Sequence, residues 1–303
     1  MRTVVTAGEK GADIDVFACA IAYAELLTLE GQESVAIIPG AFTSSITPTI
    51  LAWNAPYDSI YTPGKNDGFV LVDISDPKHF ASFVENEKIN EVYDHRYGYQ
   101  DYWEAKLGKG SHIEMVGSCG TLIWEEYKKR NKNAHVSSRS AKLLLASVVS
   151  NNLAMKSELT TDRDMLAYTE LKAITGLDEG WVSDYYHEQE ETLFSHFTEY
   201  VLADTKIVGT THGEFVIAQI EVWDDGTILS EYSNTLEASM KQYEPAPWMV
   251  NISIVSGGYN YLFSTHEVAK KIIENSFGVT FTGNVAKTEK LLMRKYLVKV
   301  LQT

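Results

Sequence analysis

The strongest constraint on the fold is a rhythm. Over the first half of the chain five short apolar runs, at Val4-Val5, 34–38, 69–74, Val92-Tyr93 and 112–116, alternate with helical patterns. The stretch 15–27 sets the type, with Ala18, Ala22 and Leu26 recurring at four-residue spacing. Further helices are predicted up to Lys129 and over 138–154 and 161–174. Runs that are nearly all apolar are buried on both faces, as the strands of a parallel sheet are. Strands separated by helices need crossovers, which lay helices over both faces. The fold class is α/β.

The character changes after Gly176. The stretch 180–200 is polar and aromatic and contains Glu188-Gln189-Glu190-Glu191, read as an exposed connecting helix. Beyond it, 215–222, 248–255 and 259–263 are rich in β-branched and aromatic residues and read as strands. A helix over 266–275 and a final strand at 297–301 complete a smaller mixed α/β domain. The expected division is 1–190 and 191–303, consistent with domains of roughly 100–200 residues.

In parallel sheets, ligands collect at the carboxyl ends of the strands. Acidic residues stand there. Asp13 and Asp15 follow the first strand, Asp73 ends the third, and Asp94-His95-Arg96 ends the fourth. Asp13 and Asp15 fit either of two roles, caps for the helix that follows or a pair of ligands. The recurrence of carboxylates at successive strand ends, joined by an imidazole, points to a divalent cation of the Mn or Mg type. Without a cation such carboxylates repel one another and their pKa values rise. The segment Gly117-Ser118-Cys119-Gly120-Thr121 reads equally as a phosphate cradle at a helix start or as a tight strand-to-helix turn. Lys206, Arg294 and Lys295 are basic positions in an acidic chain, and such residues ordinarily form solvated surface.

A net charge of -15 repels nucleic acid polymers and anionic membranes. It leaves room for a small anionic substrate, because bound cations invert the sign of a local site. No apolar run approaches the roughly 20 residues of a membrane span, and the opening apolar residues are too few for a signal peptide. The expected location is cytoplasmic. Two cysteines, Cys19 and Cys119, give no disulfide framework.

Taken in order, the motifs resemble the DHH phosphoesterases, above all the family II (manganese-dependent) inorganic pyrophosphatases and the exopolyphosphatase and prune branch. The resemblance rests on DIDVFACAIAYAELL from Asp13, LVDISD from Leu71, YDHR from Tyr93 and VGSCGTLIWEEY from Val116. It continues in LLLASVVSNNLAMKSELTTDRD from Leu143, DTK from Asp204 and MRKYLVKVL from Met293. It implies a DHH-type catalytic domain followed by a DHHA2-like substrate-binding domain. The implied cofactors are two ions of Mn2+ or Mg2+. One would be held by Glu9, Asp13 and Asp73, the other by Asp15, Asp73, His95 and Asn151, with Asp73 bridging. Two such ions roughly 3.5–4 Å apart activate water for in-line displacement. Asp73, Asp94, His95 and Arg96 would form the catalytic group, and Arg96, Lys206, Arg294 and Lys295 would contact phosphate. The expected function is hydrolysis of phosphoanhydride bonds in pyrophosphate or short polyphosphate, and a homodimer stays open.

Three positions depart from the pyrophosphatase pattern. Glu9 stands for histidine, Asn151 for aspartate and Arg96 for the second histidine of DHH. The first two changes move one negative charge from one ion's ligands to the other's, and an oxygen-rich set lessens a preference for Mn over Mg. Arginine neutralises charge but donates no proton in catalysis. Two rival readings follow: a small-nucleotide phosphodiesterase of the same family, and a pseudoenzyme that binds a phosphorylated ligand or a protein. Against the phosphodiesterase, Ser256-Gly257-Gly258 is followed by Tyr259 where that branch carries a histidine.

Overall fold

The computed structural model describes residues 2–9 and 11–303. They divide into two compact units, the first running to Met155 and taking in Leu159–Trp181, the second made of Lys156–Glu158 and Val182–Thr303.

The first unit is built on β1 (Thr3–Thr6), β2 (Ser34–Ala36), β3 (Gly68–Val72), β4 (Ile89–Asp94) and β5 (Ser111–Ile113). All pair in parallel in the order β2-β1-β3-β4-β5. The chain runs outward from β1 to β2, then crosses back to start β3 on the other side of β1. The carboxyl ends of β1 and β3 therefore border the point where the order reverses, which is where open α/β sheets bind ligands. Alternate residues Val4, Phe69, Leu71 and Val92 pack with Trp103 against one face. Their neighbours Val5, Val70, Val72 and Tyr93 are equally buried on the other. Both faces are covered, as the apolar strands predict.

Helix α1 (Ile14–Leu29) starts at Asp13, whose side chain accepts a hydrogen bond from Val16 N. Its residues are buried nearly all round, so it is a core helix rather than an amphipathic surface one. A short α2 (Pro48–Ala52) and α3 (Gln100–Leu107) follow, then α4 (Cys119–Lys129), α5 (Ser138–Asn151) and α6 (Asp162–Thr175). The sequence extended α5 to residue 154, but Leu153, Ala154 and Met155 take left-handed φ values of 47°, 54° and 63°, which end the helix. Helix α6 opens with a reciprocal capping box between Thr161 and Asp164 and ends at left-handed Gly176.

In the second unit α7 (Trp181–Ser195) and α8 (Phe197–Ala203) precede β6 (Thr205–Thr210) and β7 (Gly213–Val222). Next come α9 (Ile228–Lys241), β8 (Trp248–Ile254), β9 (Tyr259–Phe263) and α10 (Glu267–Phe277), then β10 (Phe281–Thr282), β11 (Val285–Lys287) and α11 (Arg294–Leu301). The sheet order is β10-β11-β9-β8-β7-β6, mixed because only β7 and β8 run parallel. Along β7, Val216, Ala218, Ile220 and Val222 face one apolar core, while Phe215 and Ile217 face the other.

Three expectations change here. The final strand at 297–301 is the helix α11: Leu297 and Leu301, four residues apart, are both buried in the second core. The stretch 180–200 is not an exposed connector, since Leu193 and Phe197 enter the first core and Tyr186 stacks on Trp223 at 5.6 Å. The boundary expected at 190/191 therefore lies inside α7, and the chain divides at its start. Lys156 joins the second unit by donating from Nζ to the carbonyls of Val255 and Ser256 at 3.0 and 2.9 Å. Among the described residues no helix is long and apolar enough to cross a membrane.

Candidate metal centre

Asp15, Asp73 and His95 meet at the carboxyl ends of β1, β3 and β4, each offering one ligand atom within 4.8 Å of the others. Asp15 is wholly buried and Asp73 is 3% exposed. His95 Nε2 lies 3.2 Å from Asp73 Oδ1 and 3.6 Å from Asp15 Oδ2. Its Nδ1 lies 3.1 Å from the carbonyl of Val116, which fixes the ring with Nδ1–H donating there and Nε2 turned toward the carboxylates. Metal-ligating histidines are oriented in the same way.

The Asp15 carboxylate is held by residues far away in sequence. Oδ1 accepts from Ser118 Oγ at 3.0 Å, Ser147 Oγ at 2.5 Å and Gly120 N at 3.0 Å, and Oδ2 accepts from Cys119 N at 3.0 Å. The Gly117–Thr121 turn thus does cradle an anion at a helix N-terminus, and the anion is a carboxylate of the chain itself. Gly120 has to be glycine, because a Cβ there would stand 2.2 Å from Ser147 Oγ. The turn is tied in turn to α6. Asp164 accepts from Gly117 N at 2.8 Å and Thr121 Oγ1 at 2.6 Å, and from Thr161 N and Oγ1. In the sequence Ser118 figured only as part of the 117–121 segment, and Ser147 and Asp164 had no role. Only Asp164 had a local signal, the capping-box spacing from Thr161.

Asp73 adopts a left-handed φ of 53°, a conformation few residues other than glycine hold without support. That support comes from its own backbone, with its N–H donating to Tyr93 O at 2.8 Å. It also comes from Arg96, whose Nη1 donates to the Asp73 carbonyl and whose Nη2 donates to Oδ2 at 2.8 Å. Asp73 Oδ1 is different. It is buried and makes no hydrogen bond, and it faces His95 Nε2 at 3.2 Å as an ion-pair partner when the ring is protonated. A buried carboxylate oxygen without a donor is costly unless a cation completes it. The three residues fit a divalent cation, and a set of two carboxylates and one imidazole suits Mn2+ or Mg2+.

Electrostatics agree with this geometry. Burial, then repulsion from Asp73, raises the pKa of Asp15. Burial, then Asp73 and Asp15, pushes Asp13 up to about 7. Burial also raises Asp94, which accepts from His95 N at 2.8 Å. For Asp73 burial is outweighed by the charges of Arg96 and His95, and its pKa falls. His95 is raised because Asp73 and Asp15 outweigh its burial. Carboxylates raised by burial and mutual repulsion in one cluster suit the binding of a cation.

The other expected residues lie as follows. Asp13 caps α1 through Val16 N at 3.0 Å. Glu9 is exposed and accepts from Ser82 N at 2.8 Å and from Ser82 Oγ, and these hydrogen bonds lower its pKa. Asn151 closes α5 with its Nδ2 donating to Ser147 O at 3.3 Å. Of the acidic residues among them, neither Asp13 nor Glu9 joins the Asp15–Asp73–His95 group. In the second unit Arg294 heads α11 and is ion-paired with Asp204 at 2.7 Å, and its Nη1 donates to the Asp204 carbonyl at 2.6 Å. Its backbone N donates to Gln219 Oε1 at 2.6 Å, at the edge of a buried network of Gln219, Asn251 and Asn260. Lys206 on β6 and Lys295 on α11 are exposed.

No family model matches the chain. Curated proteins do. One from Bacillus licheniformis, named a probable manganese-dependent inorganic pyrophosphatase, is 23% identical over 97% of this chain and 96% of its own length. One from Methanothrix thermoacetophila, named a manganese-dependent inorganic pyrophosphatase, is 23% identical over 96% of this chain and 94% of its own. Among solved structures, a provisional family II inorganic pyrophosphatase of Methanococcus jannaschii superposes with a TM-score of 0.72 at 20% identity, covering all of both chains. An exopolyphosphatase-related protein of Bacteroides fragilis gives 0.51 at 13% identity over 99% of this chain and 90% of its own. The chain is similar in sequence and in fold, over its whole length, to the group its motifs resemble.

Proposed function

We propose that this chain, similar throughout to manganese-dependent inorganic pyrophosphatases, is an enzyme that hydrolyses phosphoanhydride bonds with Mn2+ or Mg2+ at the Asp15–Asp73–His95 centre. The carrying observation is the buried Asp73 Oδ1, which lacks a hydrogen-bond donor while facing a second carboxylate and an oriented imidazole. The favoured substrate is inorganic pyrophosphate or short polyphosphate. A divalent cation at this site supplies Lewis acidity and neutralises phosphoryl charge. The chain supplies the rest. Two hydroxyls and two backbone N–H groups, with the Cys19 thiol, fix Asp15, Val116 fixes His95, and Arg96, 46% exposed, keeps guanidinium N–H groups for an anionic substrate while bound to Asp73. In the second unit Lys206, Arg294 and Lys295 are proposed phosphate contacts, with Arg294 oriented by Asp204 and Gln219. Asp73, which the resemblance implies would bridge two ions, already accepts from Arg96 Nη2 at Oδ2.

The test is phosphate release after metal stripping, with Mn2+ or Mg2+ restored. Pyrophosphate, tripolyphosphate, longer polyphosphate and cyclic and linear dinucleotides are compared as substrates. Cation-dependent turnover of pyrophosphate or tripolyphosphate is expected. Turnover of dinucleotides alone would move the assignment to a phosphodiesterase. Turnover of none, with binding retained, would make the chain a binding protein.

A further inference from the structure

The Asp73 carboxylate is divided between two surroundings. Oδ1 faces Asp15 and His95 with no donor. Oδ2 is bonded to Arg96 Nη2 at 2.8 Å, and the same guanidinium reaches the Asp73 carbonyl and, at 3.4 Å, Asp94 Oδ1. Arg96 is therefore bound on three sides by oxygens that would otherwise draw a cation. Of the remaining oxygen ligands for a second ion, Glu9 is bonded twice to Ser82 and Asp13 spends one oxygen on capping α1. A dication beside Asp73 Oδ2 would meet a permanent positive charge hydrogen-bonded to that same oxygen, and like charges at such distance repel strongly in a buried site.

We infer that the Arg96 guanidinium takes the place of a second metal ion, so that each chain holds one divalent cation, bound by Asp15, Asp73 Oδ1 and His95. The inference rests on reading that cluster as the metal centre. Asp73 then serves two cations of different kinds, one metallic on Oδ1 and one organic on Oδ2. The fixed charge needs no cation from solution, and its planar donors match a phosphate edge. The departures at Glu9 and Arg96 become one change, since a residue freed from metal ligation is free to turn to Ser82.

The test is a count. The full chain, stripped with chelator, is titrated with Mn2+ by calorimetry, and the bound metal is measured after desalting. Electron paramagnetic resonance distinguishes isolated Mn2+ from an exchange-coupled pair. The wild type is expected to bind one ion per chain with an isolated-ion spectrum. Arg96→His is expected to bind two, with a coupled spectrum. Two coupled ions in the wild type would overturn the inference and leave the metal centre standing. No ion in the wild type would overturn both. One ion in both the wild type and a folded Arg96→His would overturn the role given to Arg96. The wild-type count decides even where the variant fails to fold, which circular dichroism reports.

Discussion

Removing Asp164 should loosen the metal centre from a distance. This fully buried carboxylate accepts from Thr161 N at 2.8 Å, Thr161 Oγ1 at 2.6 Å and Gly117 N at 2.8 Å through Oδ2, and from Thr121 Oγ1 at 2.6 Å through Oδ1. In Asp164→Ala the buried Gly117 N–H and Thr121 hydroxyl lose their acceptor, at about 1–3 kcal/mol for each unsatisfied group. Loss of the capping box at α6 adds about 1 kcal/mol. The two Thr161 donors are partly open to water and add little. The expected cost is about 3–7 kcal/mol. Asp164→Asn keeps an oxygen at the Oδ2 position and can donate to Thr121 after its hydroxyl rotates, so it should cost about 1–2 kcal/mol. Urea denaturation followed by circular dichroism reads both, as a shift of midpoint at constant slope. Because the same turn presents Cys119 N and Gly120 N to Asp15, Mn2+ affinity should fall in the same order, alanine below asparagine below wild type. A loss under about 1 kcal/mol in Asp164→Ala, or equal losses in the two variants, would refute the reasoning.

Three further perturbations test other parts of the account. Asp67 is held down to about 2 by hydrogen bonding to Arg2, with Gly64 N and Tyr61 assisting, so the unfolded chain binds the proton more tightly. Its contribution, about 1 kcal/mol after allowing for a solvent-open Arg2, is present above pH ~4 and lost as pH falls toward ~2. Asp67→Asn should flatten the stability profile there, and an unchanged acid limb in urea titrations would contradict it. If α11 is a helix with Leu297 buried, Leu297→Ala should cost about 2–4 kcal/mol, while Lys299→Ala should cost under about 0.5 kcal/mol; comparable losses would return the segment to a strand. Asn151 lies one turn beyond Ser147, whose hydroxyl bonds Asp15. With the cation held by Asp15, Asp73 and His95 and the Asn151 amide bonded to Ser147 O, Asn151→Asp should leave Mn2+ affinity by calorimetry within about threefold of wild type; a gain of about tenfold would make this position the ligand that the resemblance implies.

The parts of the site that were legible in the sequence are those that strand periodicity alone positions. Asp15, Asp73, Asp94 and His95 follow apolar runs, and parallel pairing brings such ends together whatever the loops do. Arg294 and Asp204 were marked by motif, but their ion pair was not, because nothing local couples residues 90 apart. The support of Asp15 was hidden for the same reason: Ser147 and Gly120 are 132 and 105 residues away. The turn 117–121 read equally as a phosphate cradle and as a tight turn, and it is a turn whose N–H groups hold a carboxylate of the chain itself. The sequence Leu297-Val298-Lys299-Val300-Leu301 fits a two-residue period and a four-residue one equally, and β-branched Val298 and Val300 favoured the wrong choice. Only burial against the second core decides it. In 180–200 the acidic run at 188–191 concealed the buried Gln189 and Leu193 of α7 and Phe197 of α8.

The central claim is that phosphoanhydride hydrolysis depends on a divalent cation held at Asp73, and the most direct measurement compares pyrophosphate hydrolysis by the wild type and Asp73→Asn across a Mn2+ titration. The account predicts that the stripped wild type is inactive and regains turnover with Mn2+. It predicts that Asp73→Asn, folded by circular dichroism, binds Mn2+ far more weakly and loses at least about a hundredfold in kcat/KM at saturating Mn2+. Full activity in the stripped chain, or wild-type kcat/KM and Mn2+ affinity in Asp73→Asn, would contradict it.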